Sequence, residues 1–325
     1  MPAPLQSDVH VNRPLTNVSI AYIQDDREFI AASVFPNVPV EAQSDVYFIY
    51  PKGEWFRSEA KERAPGTESA GSGYRVETAP PYFCRVYAHH KDIPDQLRAN
   101  QQSPLDMDRD ATLFVTRQLL LLREKKWAEA YFTTGVWATD VTGVTGTPGG
   151  DQVKQWDQAG STPIKDVRKY KRAVHKLTGF MPNVLVLGPE VYDVLCDHAD
   201  ILGRIQYSQR GVVTLDLLAT LFDIPRVLVP GGIENTAAEG AADSMNYIYG
   251  KRALLAYAAP NPSLMQPSAG YTFSWTGYLA AGPAGNRISS FRMEHLKADR
   301  VEGEMAFDMK VIATDLAVFF DQLIA

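Results

Sequence analysis

The chain has 325 residues, 45% of them hydrophobic and 22% charged, a composition that supports a large core divided over two or three sub-domains. Its formal net charge of −6, with acids and bases interspersed along the sequence, disfavours a sequence-specific nucleic-acid binder, which gathers Lys and Arg on one face. No run of about twenty apolar residues offers a membrane span, and the start MPAPLQSDVH lacks the basic and then apolar pattern of a secretory signal.

Residues 15–40, LTNVSIAYIQDDREFIAASVFPNVPV, carry two short apolar stretches: Val18, Ile20, Tyr22 and Ile23, then Phe29, Ile30, Val34 and Phe35. Pro36 and Pro39 force the backbone there to run extended. Such an arm cannot bury its apolar residues alone and needs a surface, of its own body or of a neighbour. The acidic group Asp25, Asp26 and Glu28 reads as a solvated face or a salt bridge to a neighbour.

Residues 42–86 form a distinct unit. VYFIY (46–50) reads as a strand from its β-branched and aromatic content, with returning strands at 74–78 and 82–87. Between them lies a charged stretch with Gly and Ser and no helical apolar stripe. The unit is a long two-stranded excursion with a polar tip, which is barely stable by itself. Trp55 and Phe56 in it are either a satellite core or an exposed pair that plugs into an adjacent surface.

Residues 104–132 carry the longest helix. Ser103 or Asp106 caps it, and Asp106, Asp108 and Asp110 suit its positive start. Ala111, Phe114, Val115, Leu119 and Leu122 make one stripe, and Leu113, Leu120, Trp127 and Tyr131 another. The run 119–122 is apolar all round, which implies burial on more than one side. Arg123, Glu124, Lys125 and Lys126 then return the helix to water or to a polar interface, and Gly135 stops it.

The Gly- and Thr-rich residues 139–160 read as a connector between sub-domains. Residues 161–232 read as compact α/β. Thr162 caps a helix with Pro163 at its first position, and Ile164, Val167, Tyr170, Val174 and Leu177 repeat at helical spacing. Gly179 ends it, NVLVL (183–187) is a fully buried strand, and helices follow at GPE and after Thr214, then the strand RVLV (226–229). Further strands are expected at 247–257 and 271–276, and a long antiparallel pair at 288–296 and 301–312, joined by a polar turn at 297–300.

Chemical motifs are sparse. The two cysteines, Cys84 and Cys196, form no CxxC and read as reduced, structural thiols. The six histidines show no zinc spacing, and His89 and His90 point to opposite faces of a strand. The glycines of 143–150 lack the GxxxxGK of a phosphate loop and read as a flexible linker, and there is no GxSxG elbow.

The order of arm, excursion, long helix, the pattern helix, GF-x-PN-strand, GPE, helix, helix, IP-strand, and late returning strands resembles the major capsid proteins of tailed bacteriophages, of HK97-like fold. The resemblance implies an α+β fold with an N-terminal arm (1–41), an extended β-hairpin loop or E-loop (42–90), a peripheral domain with a long spine helix (91–150), an α/β axial domain (151–285) and returning strands of the peripheral domain (286–325). It implies a structural protein and no enzyme, with no catalytic, cofactor or metal residues. Copies would assemble through pentamers and hexamers into an icosahedral shell around double-stranded DNA, in the virion, after assembly in the host bacterial cytoplasm. A separate scaffolding protein, a portal, and weak non-specific contact with packaged DNA are the expected partners, with no membrane. Phe29, Val34, Phe35, Trp55, Phe56 and Arg57 are the expected inter-subunit contacts. Flexible connectors at 143–150 and 66–73 would absorb the angles between capsomers. Lys52 and Lys61 lie in the loop, but no acceptor motif supports a crosslink. Two alternatives are an encapsulin-type nanocompartment shell, whose chains start with a helix instead of a proline-punctuated arm, and a soluble α/β enzyme with a dispersed site.

Overall fold

A computed structural model describes residues 24–101, 106–205, 213–262, 266–279 and 286–325. The first apolar stretch of the arm, with Val18, Ile20, Tyr22 and Ile23, lies outside these residues, as does Ser103.

The frame consists of two sheets and one long helix. The five-stranded sheet is organised by Ala298–Val311, which pairs antiparallel with Arg85–Pro94, Asn286–Met293 and Gly270–Trp275. The arm strand Asn37–Val40 joins its edge, parallel to Gly270–Trp275, with Pro39 at an edge position where a missing N–H is tolerated. Lys297 makes the turn between Asn286–Met293 and Ala298–Val311 in the left-handed region, at φ 48°.

The long helix is Met107–Tyr131, capped by Asp106, whose carboxylate accepts the Arg109 N–H at 3.2 Å. Its buried stripe lies on the five-stranded sheet. Ala111 packs with Ile93 and Val301, and Val115 and Leu119 pack with Met305 and Phe307. The crossing is close because Gly303 sits beneath it: a Cβ there would stand 2.6 Å from Val115 Cγ1. The helix differs from expectation on two sides. Leu113 and Phe114 are exposed, and the polar residues Arg123 and Glu124 are buried. The helix leaves the sheet edge at that turn and enters a second core.

The six-stranded sheet runs Arg226–Leu228, Val184–Leu187, Ala253–Ala256, Ala317–Asp321, Asp140–Val144, Gln152–Lys154. Its central strands are buried on both faces, as the unbroken apolar run of 183–187 predicts. Alternate residues serve two cores. Leu185, Leu187, Leu255 and Phe320 face the helices Pro163–Thr178, Pro189–Cys196, Ala199–Ile205 and Leu215–Phe222. Val184, Val186, Leu254 and Phe319 face Trp127, Tyr131, Phe132 and the arm.

Sheet membership cuts across the expected segments. Gly270–Trp275, inside the expected axial segment, belongs to the five-stranded sheet, and Ala317–Asp321, in the last segment, belongs to the six-stranded one. Residues 139–160 are no loose connector: Asp140–Val144 and Gln152–Lys154 pair in parallel, and Val141, Val153 and Trp156 are buried. Gly143 is therefore packed strand, not linker, since a Cβ on it would stand 2.0 Å from the Gln322 carbonyl oxygen. The exposed turn covers only 145–151. Close approach, not flexibility, explains the glycine there.

In the excursion, pairing is restricted to Phe48–Ile49 with Glu77–Thr78 and Ser44–Asp45 with Tyr82–Phe83, around a one-turn helix Lys52–Trp55. The following strand is longer than expected and is the sheet strand Arg85–Pro94.

Candidate functional site

The six expected contact residues fall into two groups. Phe29 follows a 3₁₀ turn, Asp26–Glu28, and lies partly buried against Gly232. Val34 and Phe35 are 1% and 2% exposed inside their own chain, where Phe35 meets Tyr131 edge-on at 4.8 Å between ring centres and also packs near Trp127 and Trp137. They are anchored within their own chain, where the second core gives them an apolar pocket. Trp55, Phe56 and Arg57 are exposed. Trp55 leans on Tyr50 and Tyr74, and Phe56 reaches over Gly179. The structure does not bring the two groups together.

The arm is held by Glu124, one of the residues expected to return the helix to water or to a polar interface. Glu124 is 1% exposed, and its carboxylate accepts the Ile30 N–H at 2.8 Å and the Ala31 N–H at 2.9 Å. Tyr249 adds its hydroxyl to the same carboxylate. Three donors on one buried acceptor offset much of the cost of removing the carboxylate from water. Burial still pushes the Glu124 carboxyl above the usual carboxylate range, and pushes the neighbouring Arg123 guanidinium down. Burial and the adjacent Glu124 carboxylate raise Tyr249. Asp26 of the arm also pairs with Arg117 of the long helix, so the acidic group finds a partner in its own chain.

The root of the excursion is tied to the body by Lys52 with Asp315 and by the Phe83 N–H donating to Asp308 at 2.9 Å. Beyond the root, Glu54 and Arg75 pair with each other across the ribbon.

One arrangement resembles a nucleophile and its base: Ser161 Oγ lies 2.8 Å from His198 Nε2. The other ring nitrogen, Nδ1, accepts the Asp200 N–H at 3.0 Å, so the neutral ring carries its proton on Nε2 and donates to the serine. Ser161 in turn donates to the Gln158 carbonyl at 2.7 Å. This geometry caps the helix Ala199–Ile205 and does not activate a hydroxyl. Cys84 is fully buried, and burial pushes its thiol up to about 12, the wrong direction for a nucleophile. Among the described residues, no group of three or more His, Cys, Asp or Glu could hold a metal ion, and no helix is long and apolar enough to cross a membrane.

Comparison with known proteins gives a consistent picture. Residues 147–227 match the family described as phage major capsid protein E. The chain is 26% identical over 315 residues to the major capsid protein of Burkholderia phage BcepMu, covering 94% of each. In fold it is similar to a phage-related protein of Bordetella bronchiseptica, with TM-score 0.68 and 21% identity over 92% of this chain and 93% of the other. It is also similar to the capsid of cyanophage P-SCSP1u, with TM-score 0.58 and 13% identity over 98% of both chains. In fold the chain matches HK97-like phage capsid structures, and in sequence it is similar over nearly its whole length to a phage major capsid protein.

Proposed function

We propose that the chain is a phage major capsid protein whose copies self-assemble, through pentamers and hexamers, into an icosahedral shell around double-stranded DNA. The carrying observation is the near full-length similarity to a curated major capsid protein, set on a rigid two-sheet frame. The division of labour supports it. The arm base is locked into its own core, while Trp55, Phe56 and Arg57 remain exposed on an excursion with little pairing of its own. An apolar pair left exposed beside the root of such a ribbon gains by docking on a neighbouring copy. Many modest contacts per subunit then make assembly cooperative. A separate scaffolding protein and a portal complete the proposed assembly, in the host bacterial cytoplasm, with the protein ending in the virion.

Negative-stain electron microscopy of the protein co-expressed with its neighbouring phage genes tests this. Closed shells of uniform size are expected, and DNA or protein inside them separates a virus shell from a nanocompartment. A monodisperse monomer or dimer under all conditions contradicts the proposal.

A further inference from the structure

The charges interspersed along the sequence are not mixed in space. The helix Pro163–Thr178 carries Lys165, Arg168, Lys169, Lys171, Arg172 and Lys176 against a single acid, Asp166, in a chain whose acids outnumber its Lys and Arg 38 to 32. Its apolar side (Ile164, Val167, Tyr170, Val174) is buried in the core of the six-stranded sheet. Lys165, Arg168, Lys169, Arg172 and Lys176 all lie on the exposed side, with His175 beside them.

Ordinary structural roles do not account for this face. Cations in the last turn complement the helix dipole, which covers His175 and Lys176 but opposes Lys165 in the first turn. Like charges four apart, as in Lys165 with Lys169, Arg168 with Arg172 and Arg172 with Lys176, disfavour the helix. Only Lys171, on the buried side, has a carboxylate partner, Asp223. Arg168 donates to the Leu221 carbonyl at 3.1 Å, with Asp223 nearby, and Lys169 stands over the Tyr170 ring, with Asp166 nearby. None of the five exposed cations forms an ion pair with a described residue. They line a stripe of about 16 Å at the helical rise.

We infer that this stripe contacts the phosphate backbone of duplex DNA, so that the face of the six-stranded sheet covered by Pro163–Thr178 lines the interior of the shell. The inference rests on the capsid reading. A row of exposed cations without ion-pair partners among the described residues, on a helix face that carries no exposed Phe, Tyr, Trp, Asn or Gln side chain, fits backbone contact without sequence preference.

The test is fluorescence anisotropy of a labelled 30-base-pair duplex with the full-length protein between 50 and 200 mM NaCl. Four phosphate contacts give a log-log salt slope near −3.6, a loss of affinity of about 100-fold over that range. The variant K165Q/R168Q/K169Q/R172Q, built with a residue of similar helix propensity, loses most of that slope and at least tenfold in affinity at 50 mM. R168Q/R172Q loses about half the slope and guards against a misfolded quadruple variant. Unchanged duplex binding in both variants overturns the inference. So does wild-type protein that binds polyglutamate in preference to the duplex, which would assign the face to an acidic protein partner. Shell formation is scored separately by microscopy: its absence in wild type counts against the capsid reading, while the anisotropy still decides whether this face binds DNA.

Discussion

The Tyr249 hydroxyl donates to the Glu124 carboxylate, joining the chain that leads into the six-stranded sheet to the long helix. Because Glu124 also holds the Ile30 and Ala31 N–H groups, one buried side chain sets where the arm leaves the body. Glu124→Ala strips the acceptor from all three donors and leaves Arg123 buried without its neighbouring charge. A loss of roughly 3–5 kcal/mol is expected in urea unfolding.

The same residue predicts a pH effect. Its folded-state pKa lies above the ordinary value because of burial, so the folded chain binds the proton more tightly than the unfolded one. The stability of wild type relative to Glu124→Gln is therefore greatest below the ordinary carboxylate range and declines as pH rises through the raised pKa. Paired denaturation curves between pH 4 and 8 measure it; a difference that grows with pH would contradict the assignment.

The two groups of apolar arm and excursion residues separate by experiment. Phe35→Ala empties a core site and is expected to cost about 3–5 kcal/mol in chemical unfolding. Trp55→Ser with Phe56→Ser changes exposed residues and is expected to shift unfolding by no more than about 0.5 kcal/mol each, while sharply reducing shell yield measured by sedimentation.

Gly303 is a packing requirement, since any Cβ meets Val115 and Leu119 at under 3 Å. Gly303→Ala forces the long helix off the sheet and is expected to cost about 1–3 kcal/mol, read as a lowered melting temperature.

Much of this architecture was legible in the sequence. The cap at Asp106, the buried run at 183–187, and the late antiparallel pair all follow from local rules of capping, apolar continuity and turn chemistry. Burial that depends on distant partners was not legible. Glu124 sits in the charged run REKK (123–126), and only the arm folding back reveals it as an acceptor; nothing local marks it. Phe35 reads equally well as an anchor or as an interface residue until Trp127, Tyr131 and Trp137 are seen around it. Gly303 did leave a trace, since an isolated glycine inside a strand signals close backbone approach. The charged face of Pro163–Thr178 could be read from spacing alone, but whole-chain charge hid it.

Acid should weaken the end of the five-stranded sheet. Arg300 holds the Asp92 carboxyl below its ordinary range through hydrogen bonds at 2.7 and 2.9 Å, and Arg292 does the same for Asp95. Lowered pKa values contribute stability above the unfolded pKa, lost as pH falls through the folded value. Arg300→Gln is expected to flatten the stability profile below about pH 4, the ordinary carboxylate range, measured by denaturation at stepped pH.

In the proposed shell, the exposed excursion supplies contacts between copies. Sedimentation velocity of wild type and the Trp55→Ser, Phe56→Ser variant, each expressed with the same neighbouring phage genes, tests it most directly. Fast-sedimenting shells or capsomers are expected for wild type, with a shift to slow species for the variant. A wild-type protein that sediments only as a single 36.0 kDa species at every concentration would contradict the proposal.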